Sequence, residues 1–287
     1  MTVLFFHIPK TAGSTFHFIL QRLYKKHRVF DVHGLFADEC ISYFKNLEDE
    51  ARKKFDLVKG HQTLDLVPFI QNSKVITFLR NPVDHFLSGY FYIRNAPHNA
   101  QHKVVSRMRS IEEYIDFCLE NKLINGQSLY IANNRSSSFD VDNNEELVLK
   151  KAMSTLETVD NVFVTERFEE AILILQQELN WENPFYIVLN KSKRKPDEVT
   201  PEIRERIKNI QTIDFKLYEY ALKRHDWAVE DFDGSLSERI DQFRNRNQLF
   251  NLIYGKPYFL YNTGKYYLEK FGLIDVDWKI PPKYLSK

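Results

Sequence analysis

Four polar residues stand where buried strands would present them to a ligand: Lys10, His61, Arg80 and Ser88. Lys10 follows the apolar run Val3-Leu4-Phe5-Phe6-His7-Ile8 and Pro9, and precedes the small residues Thr11, Ala12, Gly13, Ser14 and Thr15. Such a run reads as a strand covered on both faces, ended by a proline that cannot donate to the ladder. Small residues let the backbone pass close to a bound group. The spacing Phe16, Ile19, Leu20, Leu23, Tyr24 then starts a helix whose first amides point back at the turn. A helix N-terminus carries about half a positive charge, so this stretch suits a phosphate or sulfate, with Lys10 adding a full charge and Ser14 or Thr15 a hydroxyl. The order differs from a Walker A loop, because here the lysine precedes the glycine.

His61 follows a short strand, Phe55 to Lys59, and Gly60. An unperturbed imidazole titrates near pH ~6.5, so a histidine at that edge can act as a base at neutral pH. Arg80 ends the strand Lys74 to Leu79; Asn81 caps the helix after it and Pro82 takes its first position. On that helix Asp84, Ser88 and Tyr92 fall near one face, and Phe86 and Tyr90 on another. Arg80 has two readings, a phosphate contact shared with Ser88 or an ion pair with Asp84 or Glu166. A further basic loop, Asn190 to Pro196, offers Lys193 and Arg194 to an anion. His98 and His102 have helical spacing but no third metal ligand near them, His7 reads as a core or rim histidine, and Arg167 as a structural ion pair.

To position these residues the chain must alternate strands and helices. Further strands are expected at 162–164 and 185–189, and helices at 37–55, 111–122, 128–133, 145–158, 166–179, 200–225, 236–252 and 264–271. Residues 94–109 read as a loop or lid, and 133–138 as a turn. Ligands of open parallel sheets bind outside the carboxyl ends of the strands, so Lys10, His61 and Arg80 would share one crevice.

Residues 3–16 resemble the 5′-phosphosulfate loop of sulfotransferases that use 3′-phosphoadenosine 5′-phosphosulfate (PAPS), and Arg80-Asn81-Pro82-Val83-Asp84-His85-Phe86-Leu87-Ser88-Gly89-Tyr90-Phe91-Tyr92 resembles their 3′-phosphate motif. Val164 to Glu169 and the Lys191 to Lys195 loop are similar to the branch that contains heparan sulfate 2-O- and 6-O-sulfotransferases and bacterial relatives. The resemblance implies an α/β three-layer sandwich with a central, mostly parallel sheet and a strand-loop-helix like that of phosphate-loop nucleotidases. A PAPS-binding domain would occupy 1–230, with an aromatic-rich helical extension over 231–287. It also implies roles. Lys10 would neutralise the oxygen between phosphorus and sulfur. Lys10, Thr11, Ala12, Gly13, Ser14 and Thr15 would hold the 5′-phosphate; Arg80 and Ser88, with Lys193 and Arg194, would hold the nucleotide's phosphates. His61 would take the acceptor's proton. The donor would be PAPS, the product 3′,5′-ADP, and the acceptor a hydroxyl of a carbohydrate or glycoconjugate, with no metal required. Two other readings stay open: a metal-dependent nucleotide kinase with a divergent loop, and a nucleotide-binding protein without catalysis.

Composition narrows the setting. The chain has 287 residues, 43% hydrophobic and 14% aromatic, enough for a large core. Its 40 basic and 39 acidic residues leave a net charge of +1, which gives no global field for nucleic acid. Only Cys40 and Cys118 are present, with no metal-ligand spacing, which suits a reducing compartment. No stretch approaches the ~20 apolar residues of a membrane span, and no signal segment precedes the first strand, so a cytoplasmic protein is expected.

Overall fold

The structure is a computed structural model and describes residues 1–133, 144–187, 199–255 and 257. Its centre is a five-stranded sheet of β1 (Thr2–Phe6), β2 (Val29–Val32), β3 (Leu57–Gly60), β4 (Ser73–Leu79) and β5 (Asn161–Val164). The order is β2-β3-β1-β4-β5, and every pairing is parallel. β1 is therefore central. From β1 the chain goes to the edge strand β2, returns inward to β3, and then crosses β1 to β4 and β5, so the topological switch point falls between β1 and β4.

Among the described residues twelve α-helices carry the chain between and beyond the strands: α1 (Gly13–Leu23), α2 (Ala37–Lys45), α3 (Asp49–Arg52), α4 (Pro82–Asn95), α5 (His102–Val105), α6 (Ile111–Glu120), α7 (Gly126–Asn133), α8 (Glu145–Glu157), α9 (Phe168–Leu179), α10 (Pro201–Ile210), α11 (Thr212–Glu230) and α12 (Leu236–Phe250). The strand period gives the sheet two helix-covered faces, while α4, α5, α6 and α10 share a third apolar cluster. Val3 and Phe5 face a core shared with α1 and α9, whereas Leu4 and Phe6 face one shared with α2, α8 and α11. Both faces are covered, which is why β1 is apolar without alternation. Phe5 and Phe6 are fully buried, and each contributes about 1.5–3 kcal/mol relative to exposure.

Several element boundaries differ from the sequence reading. The stretch 37–55 is two helices rather than one, and Val29–Val32 is an additional edge strand. The expected lid at 94–109 holds the end of α4 and the short α5. Phe185 to Ile187 are not a strand: the Tyr186 amide donates to the Asn247 side chain of α12, which takes it out of any ladder. The helix expected over 200–225 breaks at Gln211, because the Asn125 side chain caps the amides of Ile213 and Asp214 while Gln211 accepts from the Asn125 amide. α12 ends at Phe250, and Asn251–Gly255 is one turn of π-helix. α12 places Phe243 in the α1/α9 core and pairs Arg244 with Glu169. The expected turn beyond residue 133, the rest of the 185–189 segment and the helix at 264–271 lie outside the described residues.

Candidate active site

The chain leaves β1 after Phe6 and runs along the carboxyl edge of the sheet, where ladder pairing ends. Side chains bond six successive carbonyls from the last two residues of β1 onward. Phe5 O accepts from Thr63 Oγ1 at 3.1 Å, Phe6 O from Thr77 Oγ1 at 2.8 Å, and Ile8 O from Thr11 Oγ1 at 2.8 Å. Between and after them, His7 O accepts from His61 Nδ1 at 3.0 Å and Tyr130 Oη at 3.2 Å, Pro9 O from His85 Nε2 at 3.0 Å, and Lys10 O from Arg80 Nη1 at 3.1 Å.

With the carbonyls held from behind, the donors of the turn remain. The amides of Lys10, Thr11, Ala12 and Gly13 donate to no carbonyl among the described residues, and α1 has no side-chain cap. Lys10 and Ala12 both adopt left-handed backbone, with φ of 68° and 62°. Left-handed residues alternating along a short run turn successive N–H groups into one concavity, the geometry of an anion nest. Gly13 is obligatory for a different reason: a β-carbon there would lie 1.8 Å from His7 Nε2. Thr11 and Thr15 are buried against the turn, and Ser14 is exposed.

His61 sits just beyond β3, after Gly60, whose φ of 129° suits only glycine and whose β-carbon would strike Val32 O at 2.1 Å. Its ring stacks on His7 with centroids 4.6 Å apart, and His7 in turn meets His17 edge-on, Nδ1 to Nε2 at 3.3 Å. A carbonyl can only accept, so the contact to His7 O puts the His61 proton on Nδ1 and leaves the lone pair on Nε2. Burial pulls the His61 pKa below 6.5, opposed by its bond to the His7 carbonyl and by Asp31. His7 falls further, to about 3, through burial and then the charges of His61, Lys59 and Lys10. The stack is thus neutral at physiological pH. Lys59, almost wholly buried beneath it, is matched by Asp31.

Arg80 closes the other side of the crevice. Its backbone is bracketed by one buried amide: Arg80 N donates to Gln127 Oε1 at 2.9 Å and Gln127 Nε2 donates to Arg80 O at 2.8 Å. Asn81 caps α4, accepting from the amides of Val83 and Asp84, while its own amide donates to Glu166. On α4, Tyr92 lies under Lys10, whose Nζ is 4.1 Å from the ring centroid, so the face carrying Ser88 one turn earlier is turned toward the Lys10 loop. Burial and then the Arg80 cation lower the Lys10 pKa. Two cations held this close are a poor arrangement alone and a good one around an anion.

The structure therefore gathers Lys10, the 11–15 turn, His61 and Arg80 at the carboxyl ends of β1, β3 and β4, with Ser88 on the helix that follows β4. A family model described as the sulfotransferase family matches residues 2–221 of the 287-residue chain. The chain belongs to the sulfotransferase family. No curated protein matches it. Lys193 and Arg194 of this sulfotransferase lie outside the described residues. His98 and His102 serve other ends, His98 bonding Tyr92 Oη and His102 the Ile93 carbonyl. No group of three or more metal-ligating side chains occurs among the described residues. Arg167 pairs with Glu170 and Asp226.

Three residues that shape the site escaped the sequence reading. His85 lies inside a stretch singled out for Arg80 and Ser88, and Gln127 and Tyr130 lie on a helix with no motif. Their roles rest on contacts 47 to 123 residues away in sequence.

Proposed function

We propose that the protein transfers the sulfuryl group of PAPS to a hydroxyl of a carbohydrate or glycoconjugate, releasing 3′,5′-ADP. The observation that carries this reading is the turn from Lys10 to Gly13, with its carbonyls engaged and its amides left to face an anion beside two cations. The 5′-phosphate is held by residues 10–15, through the amides of Lys10 to Gly13 and the Ser14 and Thr15 side chains at the head of α1. Arg80 and Ser88 take the 3′-phosphate, and Lys193 and Arg194 belong to the same set of contacts. His61 Nε2 accepts the acceptor's hydroxyl proton as that oxygen bonds to sulfur. The sulfur–oxygen bond to the phosphate breaks in line, and Lys10 meets the charge left on the phosphate oxygen. None of these steps calls for a metal. The acceptor is assigned as a glycan through the likeness of the Arg80 motif and the 164–169 stretch to glycan-sulfating enzymes.

Calorimetry tests the donor. Binding of 3′,5′-ADP in the micromolar range without magnesium supports the reading. Binding of ATP only with magnesium, and none of 3′,5′-ADP, would replace it with a kinase. Mass spectrometry of glycan acceptors incubated with PAPS and the protein tests the second half, by a mass gain of one sulfuryl group.

No helix of the described residues is long and apolar enough to cross a membrane. We place the protein in the cytoplasm on its free cysteines.

A further inference from the structure

α7 reaches the site from behind, and its N-terminus is fixed with unusual thoroughness. The buried Asp214 carboxylate of α11 accepts from the Gln127 amide at 3.1 Å, from the Ser128 amide at 2.7 Å and from Ser128 Oγ at 2.6 Å. Asp214 and Ser128 are 1% and 0% exposed, so these bonds face no competition from water. One residue earlier, a β-carbon on Gly126 would sit 3.7 Å from the His85 ring. Gln127 then grips both backbone groups of Arg80. A helix held at this many points presents its next turn in one place.

That next turn carries Tyr130. Its ring stacks on Phe6 at 5.7 Å, and its hydroxyl lies 2.9 Å from His61 Nδ1 and 3.2 Å from His7 O. The hydroxyl has one hydrogen. The carbonyl of His7 can only accept, so the hydroxyl donates there and offers its lone pair to Nδ1–H. The His61 proton is then shared between two oxygens, and the ring cannot flip without losing both. Gly34 flanks the other edge, where a β-carbon would come within 2.9 Å of His61 Cδ2. Without the phenol, the carbonyl alone would hold the ring.

We propose that Tyr130 is the positioning residue of the reaction: its hydroxyl joins the His7 carbonyl, which sets the Nδ1–H tautomer of His61, as a second acceptor and holds the ring with Nε2 turned toward the acceptor. The inference rests on the assignment of His61 as the base, and it makes α7 the part that ties the base to the Arg80 strand end.

The test is nitrogen-15 NMR of the histidine rings together with kinetics on Tyr130→Phe. In the wild type His61 is expected to give one protonated Nδ1 and one unprotonated Nε2. In Tyr130→Phe, which keeps the ring volume, the Nδ1 signal should shift as one of its two acceptors is lost, with the proton still on Nδ1. The value of kcat should fall about ten- to a hundredfold while the KM for PAPS stays unchanged, since only the base has lost its alignment. A wild-type spectrum with the proton on Nε2, or a Tyr130→Phe spectrum identical to wild type, overturns the proposal. Should Tyr130→Phe not fold, 3-fluorotyrosine at position 130 keeps the hydroxyl and changes its acidity. It must then shift the Nδ1 signal, and an unshifted signal has the same overturning force. If the spectra behave as expected but neither protein transfers sulfate, the tautomer assignment stands and the reaction assignment fails.

Discussion

The imidazole of His7 occupies the space that any side chain at position 13 would need. A β-carbon on Gly13 would lie 1.8, 2.3 and 2.4 Å from three ring atoms of His7. His7 is in turn held between His17 and His61 and has nowhere to go. Gly13→Ala is therefore expected to destabilise the fold by on the order of 1–3 kcal/mol, as overpacking does, and to weaken anion binding at the turn. Removing the ring should relieve it: His7→Ala with Gly13→Ala should be more stable than the sum of the single changes, by denaturant unfolding.

His61→Ala is expected to keep binding of 3′,5′-ADP and to lose roughly 10²–10⁴ in kcat. Because its pKa is pulled below 6.5 by burial, the neutral and active form persists to lower pH than for a free imidazole. The acid limb of the kcat/KM profile should thus have its midpoint below 6.5. Equal turnover by wild type and His61→Ala would remove the base role altogether.

Arg80 is expected to act on binding. Its guanidinium holds the Lys10 carbonyl at 3.1 Å and stands beside the Lys10 cation. Arg80→Ala should cost on the order of 1.5–3 kcal/mol of 3′,5′-ADP affinity, read by calorimetry, and the loss should shrink as salt is raised.

Stability should decline on the acid side for a definable reason. His225 is buried and His85 half-buried, each with its pKa lowered from 6.5 to about 4, chiefly by desolvation. Both rings are neutral in the native state over this range and take up a proton once the chain unfolds. Their contribution is complete above pH 6.5 and is lost as the pH falls from there to about 4, by on the order of 3 kcal/mol each. His85→Gln keeps a donor for the Pro9 carbonyl and cannot titrate in this range, so its unfolding free energy should depend less steeply on pH between 6.5 and 4.

Much of this was legible in the sequence because it follows from local pattern. An apolar run, a proline and small residues announce the Lys10 turn, and Asn81-Pro82 announces the start of α4. β2 was not legible: Val29 to Val32 carries the polar Asp31, whose partner Lys59 is on another strand. Phe185 to Ile187 misled in the opposite sense, since its apolar residues are buried against α12 rather than in the sheet. Nor does any local rule connect His85 with Pro9, or Tyr130 with His61. Side chains that satisfy a loop from a distance leave no periodic mark.

The donors that hold carbonyls 5 to 10 come from positions 63, 77, 61, 130, 11, 85 and 80. All but one are more than fifty residues away in sequence. The Lys10 turn therefore depends on the whole fold: the donors that hold its carbonyls come from β4, α4, α7 and the segments that follow β3 and β4. A peptide of residues 1–24 would contain the whole strand-turn-helix but, of these seven donors, only Thr11.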